Sequence, residues 1–176
     1  SALDVTIATV VRLLADAARR RADAVLFPEC AVTGYRYDFA NLDARELREN
    51  LSSVSEAAAS SRTNVLIGSP IYCGNRLFNC LVLFNRQGHA VHCYAKCQLT
   101  PSDEASFVPG NALSLFSVDG IPAPTIICHE RRYPELVPLA TMAGARILFP
   151  PNAGLASLAV SKKQRNRRDG IPTRAV

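Results

Sequence analysis

Between residues 5 and 21 apolar positions recur every three or four residues, so that Ile7, Val10, Val11, Leu14, Ala17 and Ala18 fall on one face of a predicted helix. Asp4, just ahead, is a candidate N-cap. The pattern then changes. ADAVLFPE (22–29) is a short apolar run closed by Pro28, which predicts a buried strand. A second helical pattern covers 43–60, and TNVLIGSP (63–70) predicts another buried strand. LFNCLVLFN (77–85) and HAVHCYAKC (89–97) predict two strands joined by the turn RQG, a hairpin. Alternation along the later strand puts His92, Tyr94 and Lys96 on one face and Val91, Cys93 and Ala95 on the other.

Residues 97–111 are rich in turn formers and read as a loop. LSLFSV (113–118) and APTIIC (123–128) return to strand. Leu136, Leu139, Ala140 and Ala143 then predict a helix closed by Gly144. Pro134 suits its first turn, and Pro138 is expected to kink it. ARILFPPN (145–152) predicts a further strand. With no internal repeat and no linker, helices alternating with strands predict a single layered α/β domain over 1–176.

A chain of 176 residues, 48% of them hydrophobic, can bury a substantial core. No apolar run reaches the roughly 18 residues needed to cross a membrane, and the opening SALDVTIATVVRLL has no basic region ahead of an apolar core. Six cysteines could form a disulfide framework. Most sit in strand-like apolar runs, however, so free thiols and a reducing, cytoplasmic setting are expected. The net charge of +5 is local, because Lys162, Lys163, Arg165, Arg167 and Arg168 account for all of it. No aromatic residue or nucleic-acid motif accompanies that patch, so nucleic acid is not an expected partner.

Candidate chemistry lies at the ends of three apolar runs: Glu29 after AVLFP, Lys96 after VHCYA and Cys128 after APTII. Sites in layered α/β folds form beyond strand ends, where these residues can converge. A nearby lysine would favour the thiolate of a cysteine. A carboxylate can take the thiol proton and later activate water. An ammonium, with the backbone N–H after the cysteine, can stabilise an oxyanion. Taken singly, each has a plainer reading: a turn glutamate, a solvated lysine, a core cysteine. His92, Cys93 and Cys97 hint at a metal, but no second pair at zinc spacing accompanies them, so none is expected.

VLFPECAVTGY resembles the glutamate motif of the nitrilase superfamily, the carbon–nitrogen hydrolases; YAKCQL resembles its lysine motif and IICHERRYPE its cysteine elbow, in the family's order. FNCLVLFNRQGHAVHCYAK is similar to the family hairpin, ARILFPPNAG to the strand after the elbow helix, and TRAV (173–176) to the start of a later helix. The resemblance implies a four-layer α-β-β-α sandwich, with an N-terminal strand and a C-terminal part of that fold outside this chain. It implies Cys128 as nucleophile, Glu29 as general base and Lys96 as oxyanion-stabilising residue, with the N–H of His129 completing the oxyanion hole. Glu104 would be a supporting glutamate, with Asp103 its neighbouring rival. Arg132 and Glu135 match positions expected to brace the elbow, while Cys30 and Cys97 would line the core beneath the site.

The run Cys-x-acid-Arg-Arg-aromatic-Pro-Glu is also similar to N-carbamoyl amino-acid amidohydrolases, where arginines near the nucleophile face a substrate carboxylate. That makes Arg131 and Arg132 substrate-binding candidates. The alternative for Arg131 is a surface salt bridge, with Glu130 as its partner. The implied activity is thiol-dependent hydrolysis of an amide or N-carbamoyl compound, with a nitrile as the alternative and no metal or organic cofactor. A homo-oligomer is expected from the same resemblance. A competing reading of another class is a non-catalytic binding or assembly module.

Overall fold

The computed structural model describes residues 2–35 and 38–153; the basic segment 162–168 and the TRAV motif lie outside the described residues. Helix α1 (Ala2–Arg19) begins upstream of Asp4, which therefore lies within the helix and not at its N-cap position. Ile7, Val10 and Leu14 are buried, but Val11 is turned outward. Helix α2 (Ala44–Ser61) is capped by Asp43, whose carboxylate accepts the N–H groups of Arg45 and Glu46. It ends at Arg62, in the left-handed conformation.

Strands β1 (Ala24–Leu26), β2 (Asn64–Cys73), β3 (Arg76–Phe84) and β4 (Ala90–Ala95) form one sheet in that order. β1 is parallel to β2, with α2 in the crossover, and the other pairs are antiparallel. β2 runs past its apolar stretch to Cys73 and reverses at Gly74-Asn75 into β3. Gly74 has the positive φ that such a two-residue turn needs. This hairpin was not expected, because Pro70 reads as the end of a strand; it instead sits within the ladder opposite Asn79, and Ile71–Cys73 continue the strand beyond it.

Strands β5 (Leu115–Val118) and β6 (Ile121–Pro124) form a second, two-stranded sheet. The strand expected to reach Cys128 stops at Pro124 instead. ARILFPPN contributes only an isolated bridge, Phe149 to Thr125, since Pro150 and Pro151 have no N–H to offer a ladder. Helix α3 (Leu136–Met142) is shorter than expected. Pro138 lies in its first turn, where backbone N–H groups lack intrahelical partners anyway, so the kink expected there has no cause.

Alternate residues of β2 enter opposite cores, which explains its unbroken apolar run. Val65 and Ile67 pack with Leu14 of α1 and Val54 of α2. Leu66 packs with Leu81, Phe116, Val118 and Ile127, between the two sheets. Helix α3, with Ala140 buried and a small cavity separating it from Pro124, supplies the outer layer. The result is the α-β-β-α sandwich. Among the described residues no helix is long and apolar enough to cross a membrane.

Candidate active site

Glu29 sits on the turn after β1. That turn is held against β2 by the Phe27 N–H on Leu66 O (2.7 Å) and the Val32 N–H on Gly68 O (3.1 Å). So close an approach requires Gly68, because a Cβ there would lie 2.7 Å from Glu29 Cα. Cys30 completes the turn at a φ of 50°. Glu29 is buried, and Asn79 of β3 donates from Nδ2 to its Oε1 at 2.9 Å.

Lys96 extends β4 by one residue, its N–H donating to Asn79 O (2.8 Å). Its side chain is 0% exposed. A buried ammonium is costly unless paired. Here Nζ donates to Glu29 Oε1 at 2.6 Å and to Asp103 Oδ2 at 2.8 Å. Burial alone would lower the lysine pKa, but Asp103 and Glu29 together hold it above the ordinary value, so the charge is kept. Asp103 also accepts the Tyr35 hydroxyl (2.8 Å) and the Thr100 N–H (2.9 Å). Burial raises its carboxyl pKa; Lys96 and the Thr100 N–H outweigh that and bring it below the usual range.

The second carboxylate at Lys96 is thus Asp103. Glu104, one residue on, is exposed and borders a neighbouring cavity of about 470 Å³ that Phe107 and Tyr133 also line. A one-residue difference on a loop is beyond periodicity to resolve. The Thr100 N–H, which donates to Asp103 Oδ2, holds Asp103 and not Glu104 inward.

Cys128 opens a five-residue 3₁₀ turn (Cys128–Arg132) with a φ of 50°, its N–H donating to Pro151 O at 2.8 Å. The same stretch brings Asn152 to the nucleophile candidate, and Sγ donates to Asn152 Oδ1 at 3.0 Å. Burial, then the charge of Glu29, push the thiol pKa above its ordinary value. The expectation that lysine would favour a resting thiolate is therefore corrected: Lys96 lowers the value, but burial and the carboxylate outweigh it. Glu29 Oε2 is buried with no hydrogen-bond partner, leaving an acceptor beside a neutral thiol.

Arg131 and Arg132 are exposed, and neither borders the cavity near Glu104. Glu130 does not bridge to Arg131 at the surface. It is fully buried and accepts four hydrogen bonds. Glu135 is exposed. The His129 ring meets the Tyr133 ring edge-on at 5.9 Å. Burial, then the charge of the adjacent Glu29, push the Cys30 thiol up; Cys97 is half-buried. Among the described residues no three His, Cys, Asp or Glu side chains are placed to hold a metal ion.

Sequence reasoning did not single out Tyr35, Asn79 or Asn152, and it gave Glu130 the wrong surroundings. Asn79 had a usable signal, an amide inside the apolar run LFNCLVLF. Buried polar groups need partners, so such a residue points to one.

The profile of the carbon–nitrogen hydrolase family matches residues 1–166, and the chain belongs to that family. The 2-oxoglutaramate amidase of Bacillus subtilis is 29% identical over 136 residues, covering 74% of this chain and 52% of that protein. Nitrilase homolog 2 of Dictyostelium discoideum is 26% identical over 157 residues, covering 81% and 48%. This chain therefore spans about half the length of the curated relatives it matches. An amidase from Nesterenkonia sp. shares the fold, with a TM-score of 0.82 at 24% identity over 91% of this chain and 62% of that one. A variant of that amidase carries acrylamide added at its active-site cysteine.

Proposed function

We propose that this protein hydrolyses a small amide through a cysteine-linked acyl intermediate, with Glu29, Lys96 and Cys128 as the catalytic residues and Asp103 supporting the lysine. The observation that carries the reading is the fully buried Lys96, clamped between two carboxylates, one of which keeps an unpartnered oxygen for the nearby thiol. Nothing in ordinary packing calls for that arrangement. Replacing a buried ionic cluster by apolar side chains is often neutral or stabilising.

In this mechanism Glu29 Oε2 takes the Cys128 proton as sulfur attacks the amide carbon. The carbonyl π electrons move to oxygen, and the oxyanion is met by the His129 N–H and by Lys96 Nζ. Two of the three ammonium hydrogens are engaged by Glu29 and Asp103, so one is left for substrate. Collapse of the tetrahedral intermediate breaks the C–N bond. Glu29 returns the proton to the leaving nitrogen, and a thioester remains. Water, deprotonated by Glu29, attacks the thioester, and sulfur leaves as thiol after taking the proton back.

The names of the Bacillus and Nesterenkonia amidases support an amide, and a nitrile stays the alternative. Recognition of a substrate carboxylate by Arg131 or Arg132 would take place outside the buried cluster, since both are exposed. The test is ammonia release from matched amides, N-carbamoyl amino acids and nitriles by the protein and by Cys128→Ala. Release from amides that the variant abolishes is expected. Release that survives in the variant would rule the thiol mechanism out.

A further inference from the structure

Glu130 lies two residues after Cys128 and is 0% exposed. Its Oε2 accepts the N–H of Ile127, the residue before the nucleophile, at 2.6 Å. Its Oε1 accepts the Tyr94 hydroxyl (2.7 Å), the Cys97 N–H (2.7 Å) and the Gln98 N–H (3.2 Å). Tyr94 and Cys97 stand on either side of Lys96. One carboxylate thus bonds the backbone leading into the cysteine elbow with one oxygen, and the strand end that carries the lysine with the other.

We propose that Glu130 is a positioning residue that sets the register of Cys128 against Lys96 and Glu29. The proposal rests on the amidohydrolase reading for its catalytic consequence, though not for its geometry. The chemistry selects a carboxylate, because an ionised acid has acceptor sites for four donors and no hydrogen of its own. Glutamine of the same size would turn an NH₂ toward either the Ile127 N–H or the cluster of Tyr94, Cys97 and Gln98. Buried donors would then face a donor, the costly half of hydrogen-bond loss. Tyr94 is suited to its part, since burial and the charge of Glu130 push its phenol up and keep it protonated as a donor. Misplacement of a reacting group by about 1 Å can cost about 100-fold in rate, so a brace between the elbow and the lysine has a direct catalytic effect.

The test compares Glu130→Gln and Tyr94→Phe with wild type. The pH profile of Cys128 alkylation by iodoacetamide is followed by peptide mass spectrometry, which needs no substrate. Steady-state kinetics on an amide and urea unfolding run beside it. Loss of register should move the alkylation midpoint of Glu130→Gln down toward that of an ordinary thiol. The same variant should lower kcat by about 100-fold with KM little changed, because Glu130 does not meet substrate. Tyr94→Phe should move both in the same direction by less. A merely structural role would lower unfolding stability in both variants while leaving the alkylation profile and kcat at wild-type values, and that result overturns the proposal. If Glu130→Gln does not fold, Tyr94→Phe decides alone, and an unchanged alkylation profile overturns it equally. If wild type turns over no amide, the hydrolase reading fails, and the alkylation profile still tests the brace.

Discussion

Replacing Asp103 with Asn would leave the ammonium of Lys96 buried with one carboxylate in place of two. Both partners are essentially inaccessible, at 0% and 2% exposure, and Nζ stands 2.8 Å from Asp103 Oδ2. Removing one member of a buried ion pair costs about 3–5 kcal/mol. Asn keeps an oxygen for Lys96 and the Thr100 N–H, and its NH₂ can face the Tyr35 hydroxyl, which also accepts. The loss should therefore be near the lower end, about 3 kcal/mol, read as a fall in urea midpoint at unchanged slope. Its pH dependence follows from the direction of each shift. Asp103 is held below the unfolded carboxyl value of about 3.9, so its stabilisation is present above that pH and lost as pH falls through the folded value. The gap between wild type and variant should close in acid. Lys96 is held above the unfolded value of about 10.4, so its contribution is present below that pH and lost as pH climbs through the folded value. Exposed Glu104 is the control, and Glu104→Gln should stay within about 0.5 kcal/mol of wild type. Equal losses from the two substitutions, or a gap that widens in acid, would refute the reasoning.

Gly68→Ala should force the Glu29 turn away from β2, where a Cβ would lie 2.7 Å from Glu29 Cα. A stability loss of about 1–3 kcal/mol and a fall in kcat are expected, measured by thermal melting and turnover. Asn79→Leu removes the donor that orients Glu29 Oε1. It should cost about 1.5–3 kcal/mol, as for a hydrogen bond to a charged group, and lower kcat with little change in KM. Arg131→Ala should raise KM for carboxylate-bearing substrates alone if Arg131 binds the carboxylate; an equal effect on neutral amides would remove that role.

The layered fold was legible because its periodicities are long and its apolar runs are bounded by turn formers. β2 could be read as buried on both faces before its two cores were seen. The run ending at Cys128 misled for a definable reason. TII is apolar enough for a strand, but Pro150 and Pro151 on the facing segment offer no N–H for a ladder, and the chain turns into the elbow instead. Glu29, Lys96 and Cys128 could be nominated because each interrupts an apolar run with a reactive group. Their partners could not be. Asp103 and Glu104 are adjacent acids on a loop, and the Thr100 N–H, which donates to Asp103 Oδ2, separates their fates. Glu130 stands between a histidine and two arginines, a setting that reads as surface; its burial depends on donors from Tyr94, Cys97 and Gln98, more than thirty residues away in the chain.

The central claim is that Cys128 carries the acyl group of an amide substrate. It is tested most directly by acid-quenching the protein during turnover and sequencing its cysteine peptides by mass spectrometry. The account predicts a gain of one acyl group in place of one hydrogen, on Cys128 alone, with neither adduct nor ammonia release in Cys128→Ala. Ammonia release that continues in that variant, with no acyl group found on Cys128 in the wild type, would contradict it.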